Sequence, residues 1–209
     1  MRSNRPQSFN EWAECYDDGV RASSEFPFLG YDSVLRQAFQ LADPTPRSRV
    51  LDLGIGTGNL ARYFVDFGCD VTGIDFSPKM LAAARLKLPG VHLVEADLSG
   101  EWPLSVEVRF DRVVSGYAFH HFELARKIDI LLRTVRYRLM PGGRVVIADV
   151  SFSFPSLFGQ AQRRWEKLWD PSEYYWEAEA TAAACRESGL TMDYLQVSEC
   201  GGVFVFEPQ

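Results

Sequence analysis

The residues with the clearest chemical potential follow a short apolar stretch, where glycines recur at every second position directly after an acid. The segment reads Val50-Leu51-Asp52-Leu53-Gly54-Ile55-Gly56-Thr57-Gly58. Because glycine has no side chain, each of the three lets the backbone come close to a bound molecule. The carboxylate of Asp52 favours a ligand whose nearest end is cationic, such as an amine or a sulfonium, over a phosphate. A glycine turn that binds nothing is the alternative that the motif alone leaves open.

The spacing of these glycines argues against a dinucleotide. Proteins that bind NAD through such a turn have the pattern G-x-G-x-x-G, and the pyrophosphate lies at the N-terminus of the helix that follows. Here Asn59 occupies the position of the third glycine, and Asp52 would repel a pyrophosphate. An NAD-linked oxidoreductase is therefore the weaker alternative.

Two further acids end the next two apolar stretches of the chain. Asp75 closes the stretch 69–75, and Asp97 closes the stretch 91–97. A carboxylate at the end of the second strand can accept hydrogen bonds from both hydroxyls of a ribose. Ser77-Pro78 then predicts a helix N-cap with proline at the first helical position. A solvated loop acid is the weaker interpretation of Asp75, because ligands bind at the carboxyl ends of strands in open parallel sheets.

The elements that must position these residues alternate between strand and helix, which predicts a parallel sheet with helices on both faces. Proline and glycine at Pro141-Gly142-Gly143 are expected to end the longest helix. The predicted strands are 49–53, 70–74, 91–96, 110–115 and 145–149, followed by a hairpin of 190–197 and 203–206. The predicted helices are 31–41, 59–67, 78–88, 124–139 and 178–188.

A pair of histidines, His120-His121, follows the fourth predicted strand. Neighbours on a helix do not share a face, so at most one of them points into a pocket. One of the two, with a slight preference for His120, could take a proton from an acceptor, since imidazole titrates near neutral pH. The alternative is that one caps or packs while the other is solvated. Because the remaining histidine is His92 and no i, i+4 spacing occurs, we expect no metal site.

Composition narrows the class of protein further. The chain has 209 residues, a formal charge of −6 and 46% hydrophobic residues, which predicts one domain with an ample core and argues mildly against nucleic-acid binding. Neither a membrane-spanning stretch nor a secretory signal is recognisable. The four cysteines contain no C-x-x-C pair and are interpreted as reduced thiols, which predicts a cytoplasmic protein.

Together these motifs resemble the class I S-adenosylmethionine (SAM)-dependent methyltransferases. Within that class, three segments resemble the small bacterial enzymes of the YrrT type: the stretch 9–17, Tyr117-Ala118-Phe119-His120-His121, and Ile147-Ala148-Asp149. The resemblance implies an α/β fold with a Rossmann-like, seven-stranded, mostly parallel sheet in three α/β/α layers, N-terminal helices and a C-terminal antiparallel hairpin. It also implies SAM as cofactor and a small-molecule acceptor.

The resemblance assigns the glycine turn to the amino-acid half of SAM. The backbone at Ser115 and Gly116 is then expected to contact the same end of the cofactor. In related enzymes an N-terminal W-x-x-x-Y-D helix brings its tyrosine near the cofactor, which makes Tyr16 a candidate contact. Hydrophobic packing of that helix is an equal alternative for Tyr16.

The adenine end of the cofactor is assigned in the same way. Asp97 is expected near the exocyclic amine and the N–H of Leu98 near a ring nitrogen. Phe76 and Met80 are placed to pack on the adenine faces, or else belong to the core. Methyl transfer from a sulfonium depends mainly on holding the acceptor in line, so the lack of a conspicuous catalytic residue does not argue against an enzyme.

The chain is expected to form a single methyltransferase domain, residues 1–209, with a helical cap at 1–46. Residues 151–177 are rich in aromatic side chains and are predicted to form a lid over the acceptor. Packing of a helix onto the sheet and a dimer contact are the alternatives for this segment. At the level of function, the alternative is a protein that binds SAM or S-adenosylhomocysteine (SAH) without methyl transfer. The oligomeric state and the acceptor cannot be predicted.

Overall fold

The computed structural model describes residues 17, 19–20, 23, 25–103 and 108–208, and strands alternate with helices along them. The helices are α1 (Tyr31–Ala42), α2 (Ala61–Asp66), α3 (Pro78–Lys87), α4 (Leu124–Arg138), α5 (Pro155–Arg164) and α6 (Ala178–Ser188). The strands are β1 (Arg49–Leu53), β2 (Asp70–Asp75), β3 (His92–Glu95), β4 (Phe110–Gly116), β5 (Leu139–Phe152), β6 (Trp176–Glu177), β7 (Leu190–Gln196) and β8 (Gly201–Pro208). A 3₁₀ turn, Phe119–His121, follows β4.

The strands form one mixed sheet in the order β3-β2-β1-β4-β5-β8-β7. Strands β1 to β5 pair in parallel, and β8 runs antiparallel to both β5 and β7. The predicted seven-stranded, mostly parallel sheet with a C-terminal hairpin is therefore confirmed. The two-residue strand β6, which pairs with the end of β5, is an addition that the sequence pattern did not reveal.

Helices cover both faces of the sheet, because successive side chains of a strand point to opposite sides. Val50 joins a core cluster with Leu35 of α1 and Phe64 of α2 on one face. The next residue, Leu51, joins a second cluster with Ile130 of α4 on the other face. The result is the predicted three-layer arrangement. Among the helices that the structure describes, none is both long and apolar enough to cross a bilayer.

The boundary between α4 and β5 differs from the prediction. The helix ends at Arg138 and β5 begins at once with Leu139, so Pro141-Gly142-Gly143 lies inside the strand. The register against β4 shifts between Phe110 and Arg112, and Gly142 has a φ of 77°. These features mark a bulge, where the ladder is interrupted and then resumes. Glycine and proline therefore bend a strand here and do not separate two elements.

The aromatic segment 151–177 packs largely against the rest of the fold. The ring of Phe26 stacks on Trp165 and Trp169 at centroid distances of 5.3 and 5.2 Å. Phe152 and Trp176 are buried. These four aromatic residues of the segment pack within the fold, while Phe154 and Tyr174 are exposed, and the lid and its two alternatives stay predictions. Much of the predicted cap at 1–46 lies outside the described residues, and α1 is its described helix.

Candidate functional site

A cavity of about 320 Å³ lies at the carboxyl ends of β1, β2 and β4. Most of the residues predicted from the sequence to contact a cofactor line it: Asp52, Gly54, Gly56, Asp75, Phe76, Met80, Asp97 and Leu98. Residues from α1 and from the segment after β4 complete the wall, among them Tyr31, Leu35, Tyr117, His121 and Phe122. The three acids predicted to end strands therefore meet at one cavity, and Asp97 lies two residues beyond the end of β3. Tyr16 lies outside the described residues, so its predicted role is not placed.

The three glycines of the turn have different surroundings, although all have positive φ angles. A Cβ on Gly54 would lie 2.5 Å from the Cβ of Ala118, and one on Gly58 would lie 2.7 Å from Leu88. A Cβ on Gly56 would meet no atom of the described residues within 4 Å, its two chain neighbours aside. The prediction that every glycine admits a ligand therefore needs correction. Gly58 is required for packing onto Leu88, while Gly56 borders the open cavity.

Asp75 is buried at the end of β2 and holds the glycine turn in place. Its carboxylate accepts hydrogen bonds from the N–H of Gly56 at 2.9 Å and from the N–H of Ser77 at 2.8 Å. Burial raises the pKa of Asp75, and these hydrogen bonds act against the rise. Ser77 in turn accepts from the N–H of Met80 at 3.2 Å, so the predicted N-cap is confirmed. The interpretation of Asp75 as a solvated loop acid is thereby excluded.

Asp52 is almost completely buried, and neither of its carboxylate oxygens makes a hydrogen bond of normal geometry with a described residue. Burial, and next the negative charge of Asp75, raise the pKa of Asp52 to about 8, while the backbone N–H of Ala61 acts weakly in the opposite direction. An unsatisfied buried carboxylate is costly, and a cationic partner would relieve that cost. Asp52 therefore lines the cavity as an acceptor prepared for a positive charge.

Asp97 and Leu98 lie on the loop after β3. One carboxylate oxygen of Asp97 accepts hydrogen bonds from the N–H and the hydroxyl of Ser99, at 2.7 and 2.8 Å. The carbonyl of Leu98 accepts from Arg133 at 3.0 Å, so a side chain of α4 fixes this loop. The conformation of the loop is thus set by the protein itself before any ligand binds.

Ser115 supports the strands around the site and does not line the cavity. It is fully buried, and its hydroxyl donates to the carbonyl of Leu53 at 2.6 Å, which ties β4 to β1. Its neighbour Gly116 lines the cavity instead. The contact expected for Ser115 stays a prediction, with Gly116 as the better placed backbone.

Asp17 is a residue of the site that the sequence reasoning missed. Its carboxylate accepts hydrogen bonds from Thr57 at 2.6 Å and Asn59 at 3.0 Å, and it forms an ion pair with Lys87. An acid of the N-terminal region is thus attached to the glycine turn. The signal was its place in the W-x-x-x-Y-D motif, directly after Tyr16.

The two histidines occupy different positions. His121 is among the residues that line the cavity, whereas His120 is not and contacts Asp149 of β5 through Nδ1 at 2.6 Å. The Nδ1 of His121 lies 2.8 Å from Glu173. The preference for His120 as the residue facing an acceptor therefore has no support in this geometry. The expectation that at most one of the pair faces the pocket agrees with it.

Glu173 lies close enough to both histidines to bear on the prediction that the protein has no metal site. The spacing of the histidines predicts none, but the potential ligand atoms of His120, His121 and Glu173 lie within 4.8 Å of one another. In this structure both histidines use Nδ1 to contact carboxylates. A site without metal accordingly stays a prediction.

Comparisons with known proteins show the family to which the chain belongs. Residues 50–143 match the model of a methyltransferase domain family. An uncharacterized methyltransferase of Geobacillus kaustophilus is 32% identical over 198 residues, covering 90% of this chain and 89% of its own length. A second, of Oceanobacillus iheyensis, is 34% identical over 69% of this chain and 66% of its own length.

Solved structures show the same fold. The DhpI-SAM-HEP complex superposes with a TM-score of 0.71 at 21% identity, covering 97% of this chain and 95% of its own. Magnesium protoporphyrin IX methyltransferase from Synechocystis PCC 6803 with bound SAH gives 0.70 at 15% identity, covering 98% and 97%. The chain belongs to the methyltransferase family, and the predicted resemblance to class I SAM-dependent methyltransferases is confirmed. Because this family uses SAM as its cofactor, SAM is assigned as the cofactor of this protein.

Proposed function

We propose that the protein transfers a methyl group from SAM to a small-molecule acceptor. The observation that carries the proposal is the acidic lining of the cavity, which contains Asp52, Asp75 and Asp97 and, among the described residues, neither lysine nor arginine. Carboxylates attract the cationic sulfonium and amine of SAM and repel a pyrophosphate. The family match supports the same reaction.

The proposed orientation of SAM follows from the order of the acids around the cavity. The unsatisfied carboxylate of Asp52 receives the amino group, and Asp75 accepts from the ribose hydroxyls. Adenine lies between Phe76 and Met80, with its edge at Asp97 and Leu98. This orientation directs the sulfonium methyl toward the segment after β4, where Tyr117 and His121 line the wall.

The chemical demand on such a site is modest. The lone pair of the acceptor attacks the methyl carbon, the carbon–sulfur bond breaks, and its electron pair stays on sulfur as a neutral thioether. Holding the two reactants in line at about 3 Å supplies most of the rate enhancement. In this proposal the cavity walls hold the two reactants in position. A protein that only binds SAM would need the same contacts to the cofactor but no place for an acceptor.

Release of SAH in the presence of small acceptors tests the proposal. A panel of phenols, hydroxy acids and amines is incubated with SAM and the wild-type protein, with a Gly56→Val variant as the blank. We expect SAH above the blank with at least one acceptor class. Tight SAM binding without SAH release across the whole panel would favour the binding protein without methyl transfer.

The affinity for SAM is expected to rise with pH. Because burial raises the pKa of Asp52 to about 8, its carboxyl group is protonated at pH 7 in the free protein and must lose this proton to pair with the amine. Affinity should therefore increase, by at most about tenfold per pH unit, up to about pH 8, near the pKa of an α-amino group. Calorimetry from about pH 6 upward measures this rise. An Asp52→Asn variant should bind more weakly and lose this rise, and an unchanged slope in it would contradict the assignment.

The compartment belongs to the proposal as well. We place the protein in the cytoplasm, supported by the described cysteines Cys69, Cys185 and Cys200, all of which are buried and free. Buried free thiols are typical of reducing compartments.

A further inference from the structure

Three side chains of the kinds that bind metal ions meet where the 3₁₀ turn approaches the segment before β6. The potential ligand atoms of His120, His121 and Glu173 lie within 4.8 Å of one another. The three side chains are 13%, 17% and 17% exposed, so the cluster lies within the protein wall and not on its open surface. Such a cluster of imidazoles and a carboxylate is the donor set of many metal sites.

Hydrogen bonds from two other segments hold the histidine turn in place. The N–H of His120 donates to a carboxylate oxygen of Asp149 at 2.9 Å, and its carbonyl accepts from the N–H of Tyr174 at 2.7 Å. The ammonium of Lys127 donates to the carbonyl of Tyr174, the neighbour of Glu173 in the chain. The turn and the carboxylate that faces it are thus positioned by one set of contacts.

The ring of His120 is oriented by Asp149. This carboxylate is fully buried and contacts Nδ1 of His120 at 2.6 Å, while the indole N–H of Trp176 donates to its second oxygen at 3.0 Å. Histidines that bind metal ions commonly donate their other ring N–H to a carboxylate, which fixes the tautomer and the direction of the ring. With Nδ1 directed at Asp149, Nε2 is the nitrogen that His120 can present to an ion.

The contact between His121 and Glu173 is close to the spacing that two ligands of one ion require. Nδ1 of His121 lies 2.8 Å from a carboxylate oxygen of Glu173. Ligand atoms about 2.1 Å from a zinc ion lie about 3.0–3.4 Å from each other, depending on the angle between them. The pair therefore has to open by less than about 1 Å for an ion to take the place of the shared proton. This arrangement uses Nδ1 of His121 and makes no demand on its other ring nitrogen.

We propose that His120, His121 and Glu173 bind one first-row transition-metal dication such as zinc. Imidazole nitrogens favour zinc, copper, iron or nickel, whereas magnesium and calcium favour sites made of oxygen alone. Three protein ligands are typical of catalytic sites, in which a further position stays open for a substrate. The spacing of the histidines predicts no metal site, but it cannot reveal a third ligand that lies 52 residues from His121 in sequence.

The ion would lie beside the methyl acceptor, because His121 lines the cavity together with Tyr117 and Phe122. For the acceptor, the inference rests on the proposed methyl transfer and names molecules with a hydroxyl or thiol that can take the open position. Coordination lowers the pKa of such a group. The acceptor then loses its proton to solvent, its lone pair attacks the methyl carbon, and the carbon–sulfur bond breaks with its electron pair left on sulfur in SAH.

The charges around the cluster support an acceptor that binds as an anion. Asp149 and Glu173 contribute two negative charges, and the ammonium of Lys127, which interacts with both, contributes one positive charge. Both histidines are neutral when they bind a metal ion. A dication therefore leaves this group with one positive charge, which the deprotonated oxygen or sulfur of an acceptor neutralises. An ionisable hydroxyl or thiol is accordingly favoured over a neutral amine.

Calorimetric titration with zinc chloride tests the site on protein that has been treated with EDTA and then dialysed. We expect one zinc ion to bind per chain. His120→Gln, Glu173→Gln and Asp149→Asn should each weaken zinc binding at least about tenfold. His92→Gln, which changes an exposed histidine on β3, is the matched control and should leave zinc binding unchanged. Absence of zinc binding, or equal affinity in the wild type and the first three variants, would overturn the proposal.

Nitrogen NMR of the histidine side chains gives an answer that does not depend on whether a variant folds. The chain contains three histidines, and His92→Gln identifies the signals of His92. In the wild type, zinc should shift the signals of His120 and His121 and leave those of His92 in place. Zinc shifts confined to His92, or absent altogether, would overturn the site. Equal shifts with magnesium would overturn the proposed class of ion.

Titration with SAH separates the failure of this proposal from the failure of the proposed function. SAH should bind to the metal-free protein, because the contacts proposed for it at Asp52, Asp75 and Asp97 do not involve the ion. Binding of SAH without binding of zinc would overturn the metal site and leave the proposed methyl transfer intact. Binding of zinc without binding of SAH would refute the proposed function and support the metal site.

Discussion

Replacement of Gly56 by valine is expected to abolish SAM binding while the fold is retained. Apart from the two chain neighbours, the Cβ of the new side chain would have no atom of the described residues within 4 Å, and we expect it to project into the space of the ligand. We expect the affinity to fall at least about 100-fold, equivalent to roughly 2.7 kcal/mol. Calorimetric titration with SAM measures the loss, and retained binding would show that the cofactor lies elsewhere.

Backbone strain must be separated from this steric effect. Gly56 has a φ of 54°, where residues with a side chain lose about 1–2 kcal/mol, and more for a β-branched one. Gly68 offers a matched control, because it has a φ of 89°, its added Cβ would likewise have no described atom beyond its chain neighbours within 4 Å, and it does not line the cavity. Gly56→Ala and Gly68→Ala should lower the melting temperature similarly, whereas the loss of SAM affinity should be confined to Gly56→Ala.

Asp75→Ala is expected to remove most of the affinity for SAM. Each hydrogen bond from a ribose hydroxyl to a charged acceptor contributes about 1.5–3 kcal/mol, so the loss of two should weaken binding about 100-fold or more. The exposed acid Asp70, at the opposite end of β2, provides the control. Calorimetry should show normal SAM binding for Asp70→Ala, and a similar affinity for both variants would contradict the ribose assignment.

The structural role of Asp75 complicates a single measurement, because its carboxylate also accepts from the N–H groups of Gly56 and Ser77. A double-mutant cycle with the ligand separates the two roles. Removing the ribose hydroxyls from SAH should weaken binding to the wild type but cost nothing further in Asp75→Ala. Additive losses would mean that Asp75 supports the turn without touching the ribose.

Much of the fold could be predicted because local patterns agree with the final structure. Strand 49–53 and helix 178–188 were predicted with the bounds that the structure shows, since apolar stretches and the stop at Gly189 mark them clearly. The start of β5 was wrong because Pro141-Gly142-Gly143 is typical of a helix end and here forms a bulge. Only the pairing with β4, which is absent from local sequence, distinguishes the two.

In the candidate site, too, the residues marked by local sequence were predictable and those defined by distant contacts were not. Asp52 and Asp75 were predictable because each lies at or next to the carboxyl end of a strand, and parallel strands bring their carboxyl ends together. The role of Glu173 was missed because it meets His121 across 52 residues of sequence, and Asp17 meets Thr57 across 40. The different roles of Gly56 and Gly58 were likewise hidden, since they depend on whether Leu88 or open space lies beyond the backbone.

Parallel calorimetric titrations with SAH and with NAD test the identity of the cofactor most directly. Three carboxylates around the cavity should accept a ligand that carries an amine, a ribose and an adenine but no phosphate. We expect SAH to bind with one-to-one stoichiometry and NAD to give no heat of binding. Binding of NAD together with absence of SAH binding would contradict the assignment of this cavity to SAM.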